Sequence, residues 1–199
     1  MSKYQAGDII YRVSTTATSQ CIVLPSIDFG HLRDIAITRS GKISGFHILP
    51  AAIAVVPNAT VNLAVGAVPV LEPSGADVTA RARVSLHFSS VSTADSDNMA
   101  SARVEVEYND SGGVICRANV SQKNFWPRSW NEAEITQAIY QALSGAYAGF
   151  QTPPGQIKET TQKGILVEMR LDGTSSRLTS IRTAYPVYQQ RAWTSADKP

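Results

Sequence analysis

Two of the three histidines in this chain, His31 and His47, flank a turn signal at Gly41-Lys42. An imidazole gains and loses a proton near neutral pH, so histidine is the side chain best suited to move protons there. Cleavage of RNA by its own 2′-hydroxyl requires a base for that hydroxyl and an acid for the departing 5′-oxygen. Two histidines beside one phosphate supply both groups, and the pattern leaves open which residue takes which role. The alternative is that each is a hydrogen-bonded structural histidine.

A lysine precedes an aromatic segment in Lys123-Asn124-Phe125-Trp126-Pro127. An ammonium group beside a phosphate offsets the negative charge that builds up in the transition state. Lys123 is therefore the candidate for that role. The alternative is a solvated surface lysine, and Phe125 and Trp126 are more often core residues than residues that stack on a base.

The third feature is Thr183-Ala184-Tyr185-Pro186, at the end of a strand-like run that begins at Leu178. Residues two apart on a strand project from the same face, roughly 7 Å apart. A hydroxyl that bonds a pyrimidine edge, next to a phenol that stacks on the ring or orients the ribose, would recognise uridine. The alternative is an ordinary strand end, where Pro186 terminates pairing.

The composition of the 199 residues, 43% of them hydrophobic, predicts a full core in one domain or two tightly packed lobes. The net charge of +2 permits an RNA partner without arguing for one. No apolar run reaches the roughly 18 residues of a membrane span, and no signal peptide is visible, so no membrane partner is expected. Cys21 and Cys116 lack metal-ligand spacing and are predicted to be buried free thiols, with one disulfide as the alternative.

The hydrophobic periodicity predicts many short strands and few helices. Alternation in Arg81–Phe88 places Val84, Leu86 and Phe88 on a buried face and His87 on the solvent face. The further predicted strands are Ile35–Thr38, Ile43–Leu49, a hairpin over Arg103–Val120, Ile165–Leu171 and Leu178–Pro186.

One clear helix is predicted from about Glu132 to Tyr147. Asn131 supplies an N-cap and Glu134 completes a capping box. An apolar stripe at helical spacing gives this helix one buried face, formed by Ile135, Ala138, Ile139, Ala142 and Leu143.

Taken together, these segments resemble the EndoU endoribonuclease family, most closely its bacterial toxin branch, and share residues with the nidoviral uridylate-specific endoribonucleases. The family shows a histidine, a short turn and Gly-aromatic-His, here His31 and then Gly45-Phe46-His47. It next shows a lysine near an aromatic-aromatic-Pro-x-x-Trp segment that opens a helix, here Lys123 before residues 125–130. It closes with Thr/Ser-x-Tyr/Phe-Pro, here residues 183–186.

The resemblance implies a single EndoU-like nuclease domain over residues 1–199. Its class would be α+β, with two β-rich lobes, few helices and an active-site groove between the lobes. One lobe would carry the histidines and the second would carry Lys123, Thr183 and Tyr185. The interval between His47 and Lys123 is longer than in the family, which predicts a β-rich insertion or elaboration at about residues 51–100.

The resemblance also implies the reaction. The 2′-oxygen attacks its own phosphorus, preferentially at uridine, and yields a 2′,3′-cyclic phosphate and a 5′-hydroxyl. His31, His47 and Lys123 would be catalytic, and Thr183 and Tyr185 would bind the substrate. Some family members depend on manganese, but no carboxylate cluster accompanies the motifs here, so no metal and no other cofactor are expected.

The toxin branch implies a further context for the chain. It would be an antibacterial toxin domain, carried by a larger exported protein, that acts in the cytoplasm of a target cell. Its partners would be an RNA substrate and a cognate immunity protein. Two alternatives from other classes remain: a non-catalytic RNA-binding or protein-interaction domain on the same scaffold, and a structural β-rich protein whose Ala51–Val70 region forms an interface.

Overall fold

The structure, a computed structural model, describes residues 4–12, 20–72, 75, 77–91, 99–146, 155–174, 177–189 and 195–199. Strands dominate the described chain, and the predicted α+β class is confirmed. In chain order the elements are β1 (Ile9–Arg12), β2 (Gln20–Val23), β3 (Ser26–Ile27), α1 (Phe29–Arg33), β4 (Ile35–Ile37), β5 (Ile43–Gly45), β6 (Thr60–Leu71), β7 (Asp77–Val91), β8 (Ala100–Asn109), β9 (Ile115–Arg117), β10 (Ser121–Phe125), α2 (Glu132–Ala146), β11 (Gly155–Thr160), β12 (Leu166–Thr174) and β13 (Arg177–Pro186), followed by a short 3₁₀ helix, Ser195–Asp197.

The chain divides into two compact units. The first unit comprises Met1–Phe29, Trp130–Val187 and Thr194–Pro199, and the second comprises Gly30–Ser129 and Tyr188–Trp193. Within the described residues, no helix of either unit is long and apolar enough to cross a membrane.

The second unit is built on a seven-stranded sheet in the order β10-β8-β7-β6-β4-β5, with β9 also paired to β8. The strands β6 and β7, from the region of residues 51–100, lie inside this sheet, and β10 lies at one edge. One face forms the core, and Val84, Leu86 and Phe88 are buried there as the alternation predicts. His87 lies on the other face, half-exposed, 2.9 Å from the Thr60 hydroxyl.

The strand β5 is shorter than the sequence predicts. It ends at Gly45 and does not continue to Leu49. The physical reason is backbone conformation: Gly45 has φ +72° and Phe46 has φ +63°, and both lie in the left-handed region, outside the strand region. The chain therefore leaves the sheet just before His47.

The first unit carries a four-stranded sheet in the order β11-β12-β13-β3. The helix α2 packs against β11 and β12, and its apolar stripe is buried. The predicted capping box is confirmed, because Glu134 N–H donates to Asn131 Oδ1 at 3.0 Å and Asn131 N–H donates to Glu134 Oε2 at 2.7 Å. The predicted end of the helix at Tyr147 lies outside the described residues.

Candidate active site

His31 lies on the short helix α1, half-buried. The carbonyls at the end of this helix accept main-chain hydrogen bonds from the segment that follows β5. Phe46 N–H donates to His31 O at 3.2 Å, and the amides of His47 and Ile48 donate to Leu32 O at 2.6 and 3.0 Å. A helix end leaves carbonyls without partners inside the helix, so these bonds also fix the second histidine relative to the first.

Gly45 makes this close approach possible. A Cβ atom at this position would lie 2.3 Å from the carbonyl oxygen of Asp34 and 2.4 Å from that of His31, both fixed backbone atoms. Phe46 has an uncommon conformation for a bulky residue, and its buried ring packs edge-to-face on Phe125 at 5.5 Å. The Gly-aromatic-His motif is thus a backbone requirement as well as a side-chain pattern.

His47 is buried, with Nδ1 3.0 Å from the carbonyl oxygen of Asn124. A carbonyl oxygen only accepts, so Nδ1 carries the proton and Nε2 presents a lone pair. Burial lowers the pKa of His47 to about 3, helped by the charge of Lys123 and by His31, while the bond to Asn124 opposes the change. The imidazole is therefore neutral at neutral pH.

Lys123 is a buried residue of β10, and the alternative of a solvated surface lysine is wrong. Its Nζ donates to the carbonyl oxygen of Ile43 at 3.0 Å. Burial lowers the pKa of Lys123 to about 8, so at neutral pH this side chain is still protonated and charged in most molecules.

Lys123 belongs to the unit that carries the histidines, which differs from the expectation that it shares a lobe with Thr183 and Tyr185. The reason is strand pairing: Lys123 lies opposite Ala102 in the antiparallel pair of β10 and β8. The same stretch of chain also holds His47, through the Asn124 carbonyl and through the Trp126 amide, which donates to His47 O at 3.0 Å. His31, His47 and Lys123 are therefore brought together within one unit.

The aromatic side chains beside Lys123 are core residues, the more common of the two interpretations. Phe125 and Trp126 are almost fully inaccessible to solvent, and Trp130 is buried. Phe125 affects the candidate site indirectly, because its ring packs against the ring of Phe46.

Thr183 and Tyr185 lie on β13 in the first unit, opposite Arg170 and Glu168 of β12. Their side chains leave the same face of the sheet, because they are two residues apart on the strand. The Tyr185 hydroxyl donates to Glu168 Oε1 at 2.5 Å. The Thr183 hydroxyl oxygen is covered and has no hydrogen-bond partner in the described part of the chain.

Two residues that contribute to these arrangements, Asn124 and Glu168, carry no recognisable signal in the sequence. Asn124 acts through its backbone carbonyl, which no side-chain pattern reveals. Glu168 occupies a position between Val167 and Met169 where alternation predicts solvent exposure, yet it is only 8% exposed. Glu168 and Tyr185 lie directly opposite each other, and this pairing is recognisable only once the register of β12 and β13 is known.

Cys116 is a half-buried free thiol that donates to Asp110 at 3.7 Å, and Cys21 has a side chain outside the described part. Among the described residues, no group of three or more His, Cys, Asp or Glu side chains is arranged to hold a metal ion.

The sequence matches the family model described as bacterial EndoU nuclease over residues 26–188, which include all five candidate residues. The chain belongs to the bacterial EndoU nuclease family. No curated protein and no solved structure matches the chain. Membership of the EndoU family makes the chain a nuclease with a nucleic acid as its substrate, and it confirms the resemblance carried by the motifs.

Proposed function

We propose that this EndoU-family nuclease is a metal-independent endoribonuclease that cleaves RNA preferentially at uridine by attack of the 2′-hydroxyl. The observation that carries the proposal is the state of His47: a neutral imidazole whose Nδ1–H is held by a backbone carbonyl, next to a buried lysine. In this proposal residues 1–199 act as one catalytic domain, with the β-rich region 51–100 as an elaboration of it.

His47 is the general base in this reaction. Because Nδ1 is committed to the Asn124 carbonyl, only Nε2 can accept the proton of the 2′-hydroxyl. The 2′-oxygen then forms a bond to phosphorus. A low pKa makes His47 a weak base, but it keeps Nε2 unprotonated over a wide pH range.

His31 is the general acid and Lys123 the electrostatic partner. His31 donates a proton to the 5′-oxygen as the bond from that oxygen to phosphorus breaks, which leaves a 2′,3′-cyclic phosphate and a 5′-hydroxyl. The ammonium of Lys123 stabilises the charge that accumulates on the phosphate oxygens. The low accessibility of Lys123 supports this role, because a charge acts more strongly where water is excluded.

Thr183 and Tyr185 recognise the base. The Thr183 hydroxyl has both donor and acceptor capacity, as a pyrimidine edge requires, and it uses neither in the described part of the chain. Because that oxygen is covered, a rotation about χ1 has to bring it to the base. The ring of Tyr185 offers a flat surface for the sugar or the base.

The decisive experiment maps cuts on a mixed-sequence RNA, with and without a chelator, and identifies the new ends. We expect cuts after uridine, 2′,3′-cyclic phosphate ends and no effect of the chelator. Thr183→Val keeps the side-chain volume and should weaken the preference for uridine, and Tyr185→Ala should lower activity more than Thr183→Ala. Binding of RNA without any cleavage would instead identify a non-catalytic domain, and equal cleavage after all four bases would remove the specificity role.

A pH profile tests the assignment of His47 as the base. Its pKa of about 3 means that the imidazole stays neutral as the pH falls from 7 to 5, so kcat/KM should not decline over that range. A base with an ordinary imidazole pKa of about 6.5 would lose about 25-fold over the same interval. The measurement is kcat/KM against pH with a uridine-containing oligonucleotide, and such a loss on the acid side would contradict the assignment.

The biological context of the proposal is an antibacterial toxin domain that is carried into a target cell by a larger exported protein and is neutralised by an immunity protein. The resemblance to the toxin branch of the family supports this context. Expression of the chain in bacteria should arrest growth and fragment cellular RNA, whereas the His47→Asn variant should do neither.

A further inference from the structure

A buried carboxylate lies in the middle of the polar face of the first unit's sheet. Glu168 is on the inner strand β12, with Lys158 of β11 opposite it on one side and Tyr185 of β13 opposite it on the other. Its side chain is mostly inaccessible to solvent. A charge in such a place is stable only when other groups pair with it and donate hydrogen bonds to it.

Three donors satisfy that requirement. Lys158 Nζ lies 2.8 Å from Glu168 Oε2, the Tyr185 hydroxyl donates to Oε1 at 2.5 Å, and Gln156 Nε2 donates to the same oxygen. Burial alone would raise the pKa of Glu168, but the hydrogen bonds from Lys158, Tyr185 and Gln156 outweigh it and lower the pKa. The carboxylate is therefore ionised at neutral pH.

The hydrogen bond to the Glu168 carboxylate restricts the Tyr185 side chain. A phenol has one proton, and Tyr185 donates it to Glu168, so that proton is not available to a ribose or a base. Burial, followed by the hydrogen bond and the charge of Glu168, raises the pKa of Tyr185. The bond also fixes where the ring lies, because it anchors the far end of the side chain to an inner strand.

We infer that Glu168 is a positioning residue for substrate recognition, which holds the Tyr185 phenol so that Tyr185 meets the RNA with its ring and not with its hydroxyl. The inference rests on the proposed role of Tyr185 in binding uridine. Lys158 also supports this role, because its positive charge cancels the negative charge of Glu168. The carboxylate therefore does not repel the polyanionic substrate beside Tyr185.

A double-mutant cycle tests the inference. Glu168→Leu removes the acceptor and Tyr185→Phe removes the donor of the same hydrogen bond, so each should raise KM by about five- to tenfold with kcat within about twofold. The double variant should raise KM no further, because the bond can be lost only once. Two outcomes overturn the inference: a KM that rises in Tyr185→Phe but not in Glu168→Leu, as a direct contact of the hydroxyl with RNA requires, or factors that multiply in the double variant.

A second measurement does not depend on activity. In an alkaline absorbance titration of the seven tyrosines, Glu168→Gln should move the ionisation of one phenol to lower pH, while burial keeps the pKa of that phenol above its ordinary value near 10. The matched control is Glu159→Gln, which removes the same charge from β11 on the side that approaches Gly145 of α2, and it should leave the titration unchanged. A wild-type protein that cleaves no RNA overturns the proposed function, whereas an unchanged titration in Glu168→Gln overturns the inference about Glu168.

Discussion

Replacement of His47 by asparagine should lower kcat/KM for RNA cleavage by about 10²–10⁴-fold and leave the fold intact. The side-chain amide of asparagine places a nitrogen near the position of Nδ1, so the hydrogen bond to the Asn124 carbonyl can persist. Nothing then occupies the position of Nε2, and the 2′-hydroxyl loses its base. Cleavage of a uridine-containing oligonucleotide measures the loss, and circular dichroism with thermal unfolding measures the fold.

His87→Asn is the matched control for this experiment. It makes the same chemical change on the opposite, polar face of the second unit's sheet, where His87 contacts Thr60 and lies 3.8 Å from Glu105. Activity should stay at the wild-type value. If folded His47→Asn also cleaves RNA at the wild-type rate, His47 is a structural histidine and the proposed mechanism is wrong.

Gly45→Ala should inactivate the enzyme without altering any candidate catalytic side chain. The new methyl group would meet two fixed carbonyl oxygens, those of Asp34 and His31, at distances no real Cβ tolerates, and the φ of +72° adds backbone strain. We expect the free energy of unfolding to fall by about 3 kcal/mol or more. A shift of about 1 Å between the two histidines should lower kcat/KM by roughly 100-fold in the molecules that remain folded.

Gly41→Ala separates the effect of the steric clash from the effect of the backbone strain. Gly41 has nearly the same backbone angle, φ +73°, but a Cβ there would meet nothing closer than the Asn119 side chain at 3.6 Å. It should therefore suffer the strain alone, about 1 kcal/mol, and keep wild-type kcat/KM. Equal effects of the two substitutions on unfolding and activity would show that the close approach at Gly45 is unimportant.

Strands of the second unit could be predicted from the sequence where one face is buried, because alternation such as that of Val84, Leu86 and Phe88 directly reflects burial. The helix α2 could be predicted as well, because the Asn131–Glu134 capping box is a local signal. The early end of β5 was not predictable, since Ile43, Phe46, Ile48 and Leu49 all favour a strand and the interruption arises from a tertiary contact between Gly45 and α1.

The candidate site divides in the same way. His31, His47 and Lys123 could be selected by residue type and motif, because the chemistry demands those side chains. Their electrostatic state could not be predicted, since it depends on burial and on the Asn124 carbonyl. The unit to which Lys123 belongs depends on the pairing of β10 with β8. These two strands are separated in the sequence, and no local pattern connects them.

The position of β10 has a consequence for the durability of the enzyme. This single edge strand, with the residue that follows it, provides the lysine, the carbonyl that sets the tautomer of His47 and the amide that holds the His47 backbone. Among the described strands β10 pairs with β8 alone, and its other main-chain bonds go to the segment that carries His47, so β10 should open more readily than a strand flanked by two others. Heat or denaturant should therefore inactivate the nuclease by detaching β10 while the rest of the sheet is still folded. The temperature of half-inactivation is then set by the attachment of β10 to β8, and it lies below the melting temperature of the second unit.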